Sequence, residues 1–416
     1  MAIVKPFKGL RPAVDKVEEV ASLPYDVMNR QEAKEMAKGK DWSFLHVVRP
    51  EIDLPDEVDL HDDSAYAKAR ENLDLFQAEG VLVQDQEPVY YIYRQLMFGR
   101  VQTGIVACTS IDEYMNETIK KHEFTRPEKE QDRIRNFDTC DANTAPIFLT
   151  YRRHEVIHQA TNEWIKFNRP IYQFTSEDDI QHIVWKIDEA EVVAEIQKAF
   201  NEVEYLYIAD GHHRSASSVK VGMKRREQFP NFTGEEEFNF FMSVIFPDED
   251  LFIMDYNRVV EDLNGASKEE FLKAIEKDFE VQALATDGPY HPKKKHEVGM
   301  ILDGKWYRLT MKAGSFDAAD PVGSLDCAIL QDNLLQPILG IEDPRTSNRI
   351  QFIGGIRGLE ELESRVARDM AVGFAMYPTT IVDLIDVADA GRVMPPKSTW
   401  FEPKLRSGLF VHKLGE

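Results

Sequence analysis

With 416 residues, 43% of them hydrophobic and 30% charged, the chain is expected to be globular and to form two or three domains. Its formal net charge of −23 argues against a general nucleic-acid binder, which needs a basic surface, and against an anionic membrane as a partner. Three cysteines without paired spacing indicate neither a disulfide framework nor a zinc site. No apolar leader and no run of 18 apolar residues is present, so we expect a cytoplasmic protein.

Residues 1–100 alternate between strand-like and helical patterns. The apolar run at residues 43–48 is typical of a strand, and residues 64–79 carry apolar side chains at helical spacing up to Gly80. Residues 89–94 and 103–110 predict two strands of a hairpin that turns at Phe98-Gly99-Arg100.

The rest of the chain shows the same alternation. A short apolar run at residues 205–209 predicts a buried strand, and a helix is predicted after it at residues 215–226. Residues 240–246 and 251–254 are interpreted as a strand pair. Further predicted elements are helices at 268–279, 358–369 and 381–390, a hairpin of 297–302 with 306–311, and a strand at 372–377. The pattern favours α/β or α+β domains.

The sharpest signal for a functional site is Asp210-Gly211-His212-His213-Arg214, between the predicted strand and helix. A glycine turn at a helix start leaves backbone N–H groups free, and with the helix dipole these favour an anion. The histidines and the arginine add donors that suit phosphate or carboxylate, and Asp210 could hold a histidine or coordinate a metal. The alternative is an acidic helix cap with solvated histidines.

A second signal is the segment His122-Glu123-Phe124-Thr125, followed by Lys129 and Arg133. On a helix, Lys129 and Arg133 are four residues apart and share a face. A glutamate flanked by basic residues stays ionised and can act as a general base. The alternative, which this segment favours when taken alone, is a salt-bridged surface helix.

A third signal lies near the C-terminus, where two prolines precede Lys397, Ser398 and Thr399. A lysine with two hydroxyls is a set that can contact phosphate, and the alternative is an ordered tail that packs on the core. Arg258 follows a predicted strand and could bring a guanidinium to the site around Asp210–Arg214, although a structural ion pair is the favoured interpretation. The chain has neither a P-loop nor the glycine loop and His-Arg-Asp signature of protein kinases.

Over its whole length the sequence resembles the bacterial "domain of unknown function 1015" family, on residues 5–12, 24–26, 122–125, 210–214 and 395–401. The strand–turn–helix unit is also similar to the core motif of the ParB/sulfiredoxin-like superfamily, and most of all to its free L-serine kinases. Those enzymes carry a His-Glu pair, an Asp-Gly-His-His-Arg turn and a Pro-Lys-(Ser/Thr)-Thr segment in the order found here. A histidine that follows the last segment in the kinases is replaced here by Trp400 and Phe401.

This resemblance implies an α/β (α+β) protein with a ParB/sulfiredoxin-like core at residues 101–260. An N-terminal α/β region at residues 1–100 and a C-terminal α/β domain at residues 261–416 would flank it. The implied activity is transfer of a phosphoryl group from ATP or ADP, with Mg²⁺, to a hydroxyl of a small molecule. Free L-serine, an amino acid, is the first candidate, and O-phospho-L-serine would be the product. For residues 1–100 a lid and a homodimer surface are both open.

The resemblance also implies roles for individual residues. Glu123 would be the catalytic base, with Asp210 and His213 as further catalytic groups and Asp210 as the Mg²⁺ ligand. The phosphates would be held by Gly211, His212, Arg214, Lys397, Ser398 and Thr399, and the substrate would be contacted by His122, Thr125, Lys129, Arg133 and Arg258. Two alternatives remain: a non-catalytic nucleotide-binding regulator, since ParB-like folds also bind CTP, and a hydrolase of phosphomonoesters.

Overall fold

The computed structural model describes residues 2–285 and 288–415. Contacts within the chain divide it into two compact units, Met1–Leu251 together with Pro403–Glu416, and Phe252–Glu402. The predicted boundary at residue 100 falls inside the first unit, and the one at residue 260 falls close to the start of the second. The tail beyond residue 402, predicted to belong to the C-terminal domain, is part of the first unit.

The described residues contain twenty-one strands. They are β1 Val4–Lys5, β2 Leu10–Pro12, β3 Leu82–Gln84, β4 Tyr90–Met97, β5 Arg100–Ser110, β6 Ile119–Lys120, β7 Ala142–Asn143, β8 Ile147–Tyr151, β9 Tyr172–Thr175, β10 Gln181–Ile187, β11 Leu206–Asp210, β12 Phe240–Pro247, β13 Ile253–Met254, β14 Tyr256–Val260, β15 Phe279–Ala283, β16 Glu297–Leu302, β17 Lys305–Met311, β18 Ile350–Gly354, β19 Val372–Met376, β20 Trp400–Phe401 and β21 His412–Lys413.

The described residues also contain thirteen α-helices. They are α1 Val17–Val20, α2 Arg30–Ala37, α3 Leu45–Val48, α4 Asp63–Ala78, α5 Ile111–Met115, α6 Pro127–Cys140, α7 Glu155–Phe167, α8 Ala190–Phe200, α9 His212–Gln228, α10 Lys268–Ile275, α11 Asp326–Leu330, α12 Glu360–Arg368 and α13 Ile381–Asp389. In the part of the chain that the structure describes, none of them combines the length and the apolar character that crossing a bilayer requires.

The first unit is built on a mixed nine-stranded sheet in the order β6-β11-β8-β12-β5-β4-β10-β9, with β1 paired to β5. Its central strands bury one apolar residue after another, and the core includes Ile92, Ile105, Leu149, Ile208 and Ile245. Strand β11 runs antiparallel to β8 and parallel to β6. The strand that carries the Asp210 turn is therefore covered on both edges, and its end is fixed in position.

The second unit contains an antiparallel sheet in the order β15-β17-β16-β19-β14-β18. Its core includes Val259, Ile301, Leu362 and Ala375, so helix α12 packs on this sheet. A separate two-stranded ladder pairs β13 with β20.

The mixed α/β class is confirmed, and so are most of the elements with strong local patterns. As predicted, the hairpin of β4 and β5 turns at Phe98 and Gly99. Both residues have positive φ. Two predictions are wrong. Residues 43–48 contain helix α3 rather than a strand, because a short apolar run is equally compatible with a buried helical turn. Strand β12 pairs with β5 and β8, and β13 with β20, so residues 240–246 and 251–254 do not form the predicted pair.

The returning C-terminal segment is anchored to the main sheet by a buried polar network. The Tyr93 hydroxyl lies 2.7 Å from Nδ1 of His182, and Nε of Arg406 donates to Nε2 of the same ring at 3.3 Å. Burial and the Arg406 charge lower the pKa of His182 to about 3. His182 is therefore neutral in the folded protein above about pH 3, and below about pH 6.5 it takes up a proton when the protein unfolds.

Helix α9 approaches the segment before β12 closely at Gly222. A Cβ atom on this residue would lie 2.5 Å from the carbonyl oxygen of Phe238 and 2.7 Å from Cδ1 of Ile111. A glycine in the middle of a helix is unfavourable by itself, so its presence here is explained by the close packing.

We expect Gly222→Ala to destabilise the protein although alanine is the better helix former. The new methyl group would overpack the interface at a cost of about 1–3 kcal/mol, against a gain of about 1 kcal/mol in helix propensity. Thermal unfolding measures the difference, with Met223→Ala, at a partly exposed position on the same helix, as the control. A raised unfolding temperature for Gly222→Ala would contradict this packing.

We also expect stability to decrease on acidification through His182. Its pKa is about 3 in the folded protein, against 6.5 for a histidine exposed to solvent, as in the unfolded chain. The unfolded chain therefore binds the extra proton, and stability is lost as the pH falls from about 6.5 towards 3. Denaturant unfolding at several pH values should show a shallower pH dependence for His182→Asn than for the wild type. Val156→Asn, at an exposed position of helix α7, removes no titratable group, so it is the control and should keep the wild-type slope.

Candidate active site

Two parallel strands bring the first two sequence motifs together. Strands β6 and β11 pair in parallel, with Leu206 opposite Ile119 and Tyr207 opposite Lys120. Their carboxyl ends therefore lie at the same edge of the sheet, where polar side chains of α/β folds commonly form ligand sites. His122 and Glu123 follow one strand, and the turn at residues 210–214 follows the other, so segments 90 residues apart in sequence become neighbours.

The turn itself has the geometry of an anion site. Gly211 has φ of +97°, a left-handed conformation that disfavours other residues, and a Cβ there would lie 3.0 Å from the Arg214 guanidinium. Helix α9 begins at His212, and Gly211 offers no side chain to accept the N–H groups of the first turn. Those N–H groups and the positive end of the helix dipole favour a negatively charged ligand.

A pair of buried histidines links the two motifs. The rings of His122 and His212 meet edge to face with their centroids 4.4 Å apart, and the backbone N–H of His122 donates to Nε2 of His212 at 3.4 Å. Burial lowers the pKa of His122 to about 4, and burial together with His122 lowers the pKa of His212 well below its usual value. Both rings are therefore neutral near pH 7.

Glu123 lies beside this pair. Since Nε2 of neutral His212 accepts a hydrogen bond, its proton is assigned to Nδ1, which is 3.7 Å from Oε2 of Glu123. The His212 side chain is 4% exposed and that of Glu123 is 47% exposed. The carboxylate can therefore reach a bound molecule, while the imidazole behind it can orient it.

His213 is held by the start of the neighbouring helix. The backbone N–H of Arg126 donates to Nε2 of His213 at 3.0 Å. Burial, together with the charges of Lys129 and Arg126, lowers the pKa of His213 to about 4. The neutral ring then carries its proton on Nδ1 and can donate one hydrogen bond.

Asp210 is surrounded by positive charge. Its Oδ2 lies 3.5 Å from Nη2 of Arg214 and 3.5 Å from Nζ of Lys404. Burial alone would raise the pKa of Asp210, but Lys404 and Arg214 outweigh it and hold the pKa far below its usual value. Arg214 is itself buried and donates to the carbonyl oxygen of Pro146. Its side chain therefore stabilises the turn and is not exposed to solvent.

Lys404 was not among the predicted site residues. It lies seven residues beyond Lys397, on the segment that returns to the first unit, and its carbonyl oxygen accepts from Nε2 of Gln95 at 2.9 Å. The only signal in the sequence was a second lysine close to the proline-rich motif, since the contact with Asp210 spans almost two hundred residues.

Magnesium has one candidate protein ligand in this turn. Within residues 2–285 and 288–415, no group of three or more His, Cys, Asp or Glu side chains is arranged to hold a metal ion. Mg²⁺ is commonly bound by one or two carboxylates together with substrate phosphates, and Asp210 could be one such ligand. The two cations beside Asp210 already balance its charge, so the residues fit a counter-ion cluster better than a metal cage.

The predicted substrate residues of helix α6 occupy different places. The Thr125 hydroxyl donates to Glu130, which also pairs with Lys220. The hydrogen bond of Thr125 therefore stabilises the loop that precedes helix α6. Lys129 and Arg133 both line a cavity of about 260 Å³ in the first unit. Pro127 occupies the first helical turn, where its missing N–H costs nothing.

Lys397, Ser398, Thr399 and Arg258 all lie in the second unit. The Ser398 hydroxyl is buried and donates to the carbonyl oxygen of Pro395 at 2.6 Å. Arg258 is also buried, and its Nη2 donates to the carbonyl oxygen of Lys397 at 3.1 Å. In these contacts Ser398 and Arg258 shape the backbone around Lys397, which has a left-handed φ of 59°.

Several solved structures are similar to this chain at low sequence identity. SbnI with a C-terminal truncation, from Staphylococcus aureus, is 10% identical, covering 73% of this chain and 85% of its own, with a TM-score of 0.39. A free serine kinase in complex with AMP is 13% identical, with coverages of 74% and 91% and a TM-score of 0.36. A conserved hypothetical protein from Pyrococcus furiosus is 12% identical, with coverages of 74% and 95% and a TM-score of 0.34.

No curated protein matches the sequence. A family model described as protein of unknown function (DUF1015) matches residues 4–328, a stretch that contains both motifs of the candidate site. The chain therefore belongs to the DUF1015 family.

Proposed function

We propose that this protein is a small-molecule kinase that transfers a phosphoryl group from ATP or ADP to a hydroxyl, with free L-serine as the first candidate acceptor. The observation that carries the proposal is the Glu123 carboxylate beside the N-terminus of helix α9, 3.7 Å from Nδ1 of His212. A proton acceptor next to an anion-binding helix start is the minimum that hydroxyl phosphorylation needs. Phosphoryl transfer requires positioning and charge neutralisation more than covalent help from the protein.

Each side chain of the site then has a defined task. Glu123 accepts the proton of the acceptor hydroxyl, and neutral His212 orients that carboxylate. The N–H groups that follow Gly211 and the Nδ1 proton of His213 bind phosphate oxygens. Lys404 and Arg214 offset the charge of Asp210, and Lys404 adds positive charge close to the phosphates. Magnesium, when bound with the nucleotide, would supply further neutralisation of the phosphate charge.

We expect Glu123→Gln to abolish phosphorylation while nucleotide binding remains. The amide cannot accept a proton, and general-base catalysis contributes about 10²–10⁴-fold to a rate. The assay detects phosphoserine from purified protein with L-serine, Mg²⁺ and either ATP or ADP. Glu117→Gln removes an exposed carboxylate shortly before Glu123 and serves as the matched control.

Two outcomes of this assay would count against the proposal. Wild-type protein that phosphorylates none of a panel of small alcohols with either nucleotide is not such a kinase. If it still binds nucleotide in calorimetry, the alternative of a nucleotide-binding regulator is favoured. Full activity of Glu123→Gln would refute the role of Glu123 as base even if the kinase activity stands.

We expect Lys404→Met to weaken nucleotide binding about tenfold, the equivalent of about 1.4 kcal/mol. The substitution removes one of the two cations beside Asp210 and thereby increases the negative potential where phosphate would bind. Calorimetric titration with ADP measures the effect. Lys198→Met, on the exposed face of helix α8, should bind as the wild type does, and equal affinity of both variants would argue against this role.

A further inference from the structure

The cavity of about 260 Å³ in the first unit has two walls from distant parts of the sequence. One wall comes from the N-terminal eighty residues and includes Tyr25, Asp26 and Arg49. The other is a single face of helix α6, with Lys129, Arg133 and Asn136 among its residues. Pockets for drug-sized ligands measure about 300–1,000 Å³, so this cavity suits a smaller molecule.

Two residues that line the cavity carry a buried hydrogen-bond donor without a partner in the described residues. Arg133 is 5% exposed, and its Nε donates to Asp132 at 2.8 Å, whereas its Nη1 makes no hydrogen bond. Nδ2 of Asn136, which is fully buried, makes none either. The guanidinium lies 3.9 Å from the centre of the Tyr25 ring, which keeps it in place. Because unpaired buried donors are costly, these two groups indicate that an acceptor such as a carboxylate completes the site.

The charges around the cavity are of both signs. Arg49 pairs with Glu51 at 2.6 Å, and Arg133 pairs with Asp132 at 2.7 Å. The lining also contains Asp26, an exposed carboxylate. A polyanion would be repelled by this set of carboxylates, whereas a molecule with one carboxylate and one ammonium group meets a complement for each.

One wall of the cavity, helix α6, begins beside the phosphate-binding turn. Helix α6 begins one residue after Arg126, whose backbone N–H is hydrogen-bonded to His213. The charges of Lys129 and Asp26, both in the cavity lining, act on His213, and the charge of Arg214 acts on Tyr25. A small molecule in the cavity would therefore lie close to a nucleotide held at the start of helix α9.

We propose that this cavity is the acceptor pocket and that it binds a small zwitterion, with the carboxylate at Arg133 and Asn136 and the ammonium group towards Asp26. Residues 25–66 thereby form half of the acceptor site rather than only a lid or a dimer surface. The assignment rests on the proposed kinase function, which it extends to the place and the charge of the acceptor.

The first test fills the cavity without removing any charge. Leu60 lines it and is 42% exposed, and Leu75, 46% exposed on helix α4, does not line it. We expect Leu60→Trp to raise the KM for L-serine by about tenfold or more, with the KM for nucleotide unchanged, and Leu75→Trp to change neither. A rise in the nucleotide KM instead would mean that the cavity holds the nucleotide, and the proposal would fail.

The second test addresses the carboxylate. Arg133→Lys keeps the charge but loses the planar fork that pairs with a carboxylate. We expect it to raise the KM for L-serine by about tenfold or more and to leave the weaker use of ethanolamine, which has no carboxylate, unchanged. Equal wild-type use of the two acceptors, with a normal serine KM in Leu60→Trp, would overturn the pocket assignment while the kinase function stands.

Failure of the kinase function itself is distinguishable from failure of the pocket. If no acceptor is phosphorylated, the acceptor role is refuted with the proposed function. Calorimetric binding of L-serine to the wild type, lost in Leu60→Trp and kept in Leu75→Trp, would still support a zwitterion site. No binding of L-serine to the wild type would refute that site as well.

Discussion

The parallel pairing of two strands, Ile119–Lys120 and Leu206–Asp210, is the constraint on which the candidate site depends. Only this pairing places the ends of both strands at one edge of the sheet, so that Glu123 meets the start of the helix at His212. The neighbouring antiparallel strand Ile147–Tyr151 holds the other side, and its register shifts between Ile208 and Asp210. The irregularity lies directly before the turn and lets the backbone leave the sheet where the glycine is needed.

The electrostatics of the site are set by burial as much as by charge. Three histidines have pKa values below the usual range, each with burial as the largest cause, so none adds a full positive charge near pH 7. The cationic charge comes instead from Arg214 and Lys404, which hold Asp210 ionised. Of the three neutral imidazoles, His213 keeps an Nδ1 proton that it can donate to a ligand, because His122 and His212 contact each other and His212 Nδ1 faces Glu123.

Features encoded within about twenty residues were predictable from the sequence. The strand, the Asp210 turn and the following helix follow from an apolar run, a glycine and a helical pattern, and the helix at residues 64–79 follows from its periodicity. The family resemblance led to Glu123 as well. Long-range choices were not predictable: the partner of strand 240–247, the helical turn at Leu45–Val48, and the contact of Lys404 with Asp210 each depend on tertiary packing.

The second unit is inserted into the sequence of the first, since the chain leaves the first unit after Leu251 and returns at Pro403. The first unit therefore lacks residues 403–416 until the second unit has been synthesised. Strand His412–Lys413 pairs with Ala142–Asn143 across a loop of about 270 residues. The entropic cost of closing such a loop is only slightly larger than for a shorter loop. The pairing nevertheless forms late, because it joins residues that are far apart in sequence. Lys404, one of the two cations beside Asp210, belongs to this last segment, so the Asp210 turn gains its full set of charges only when the chain returns to the first unit.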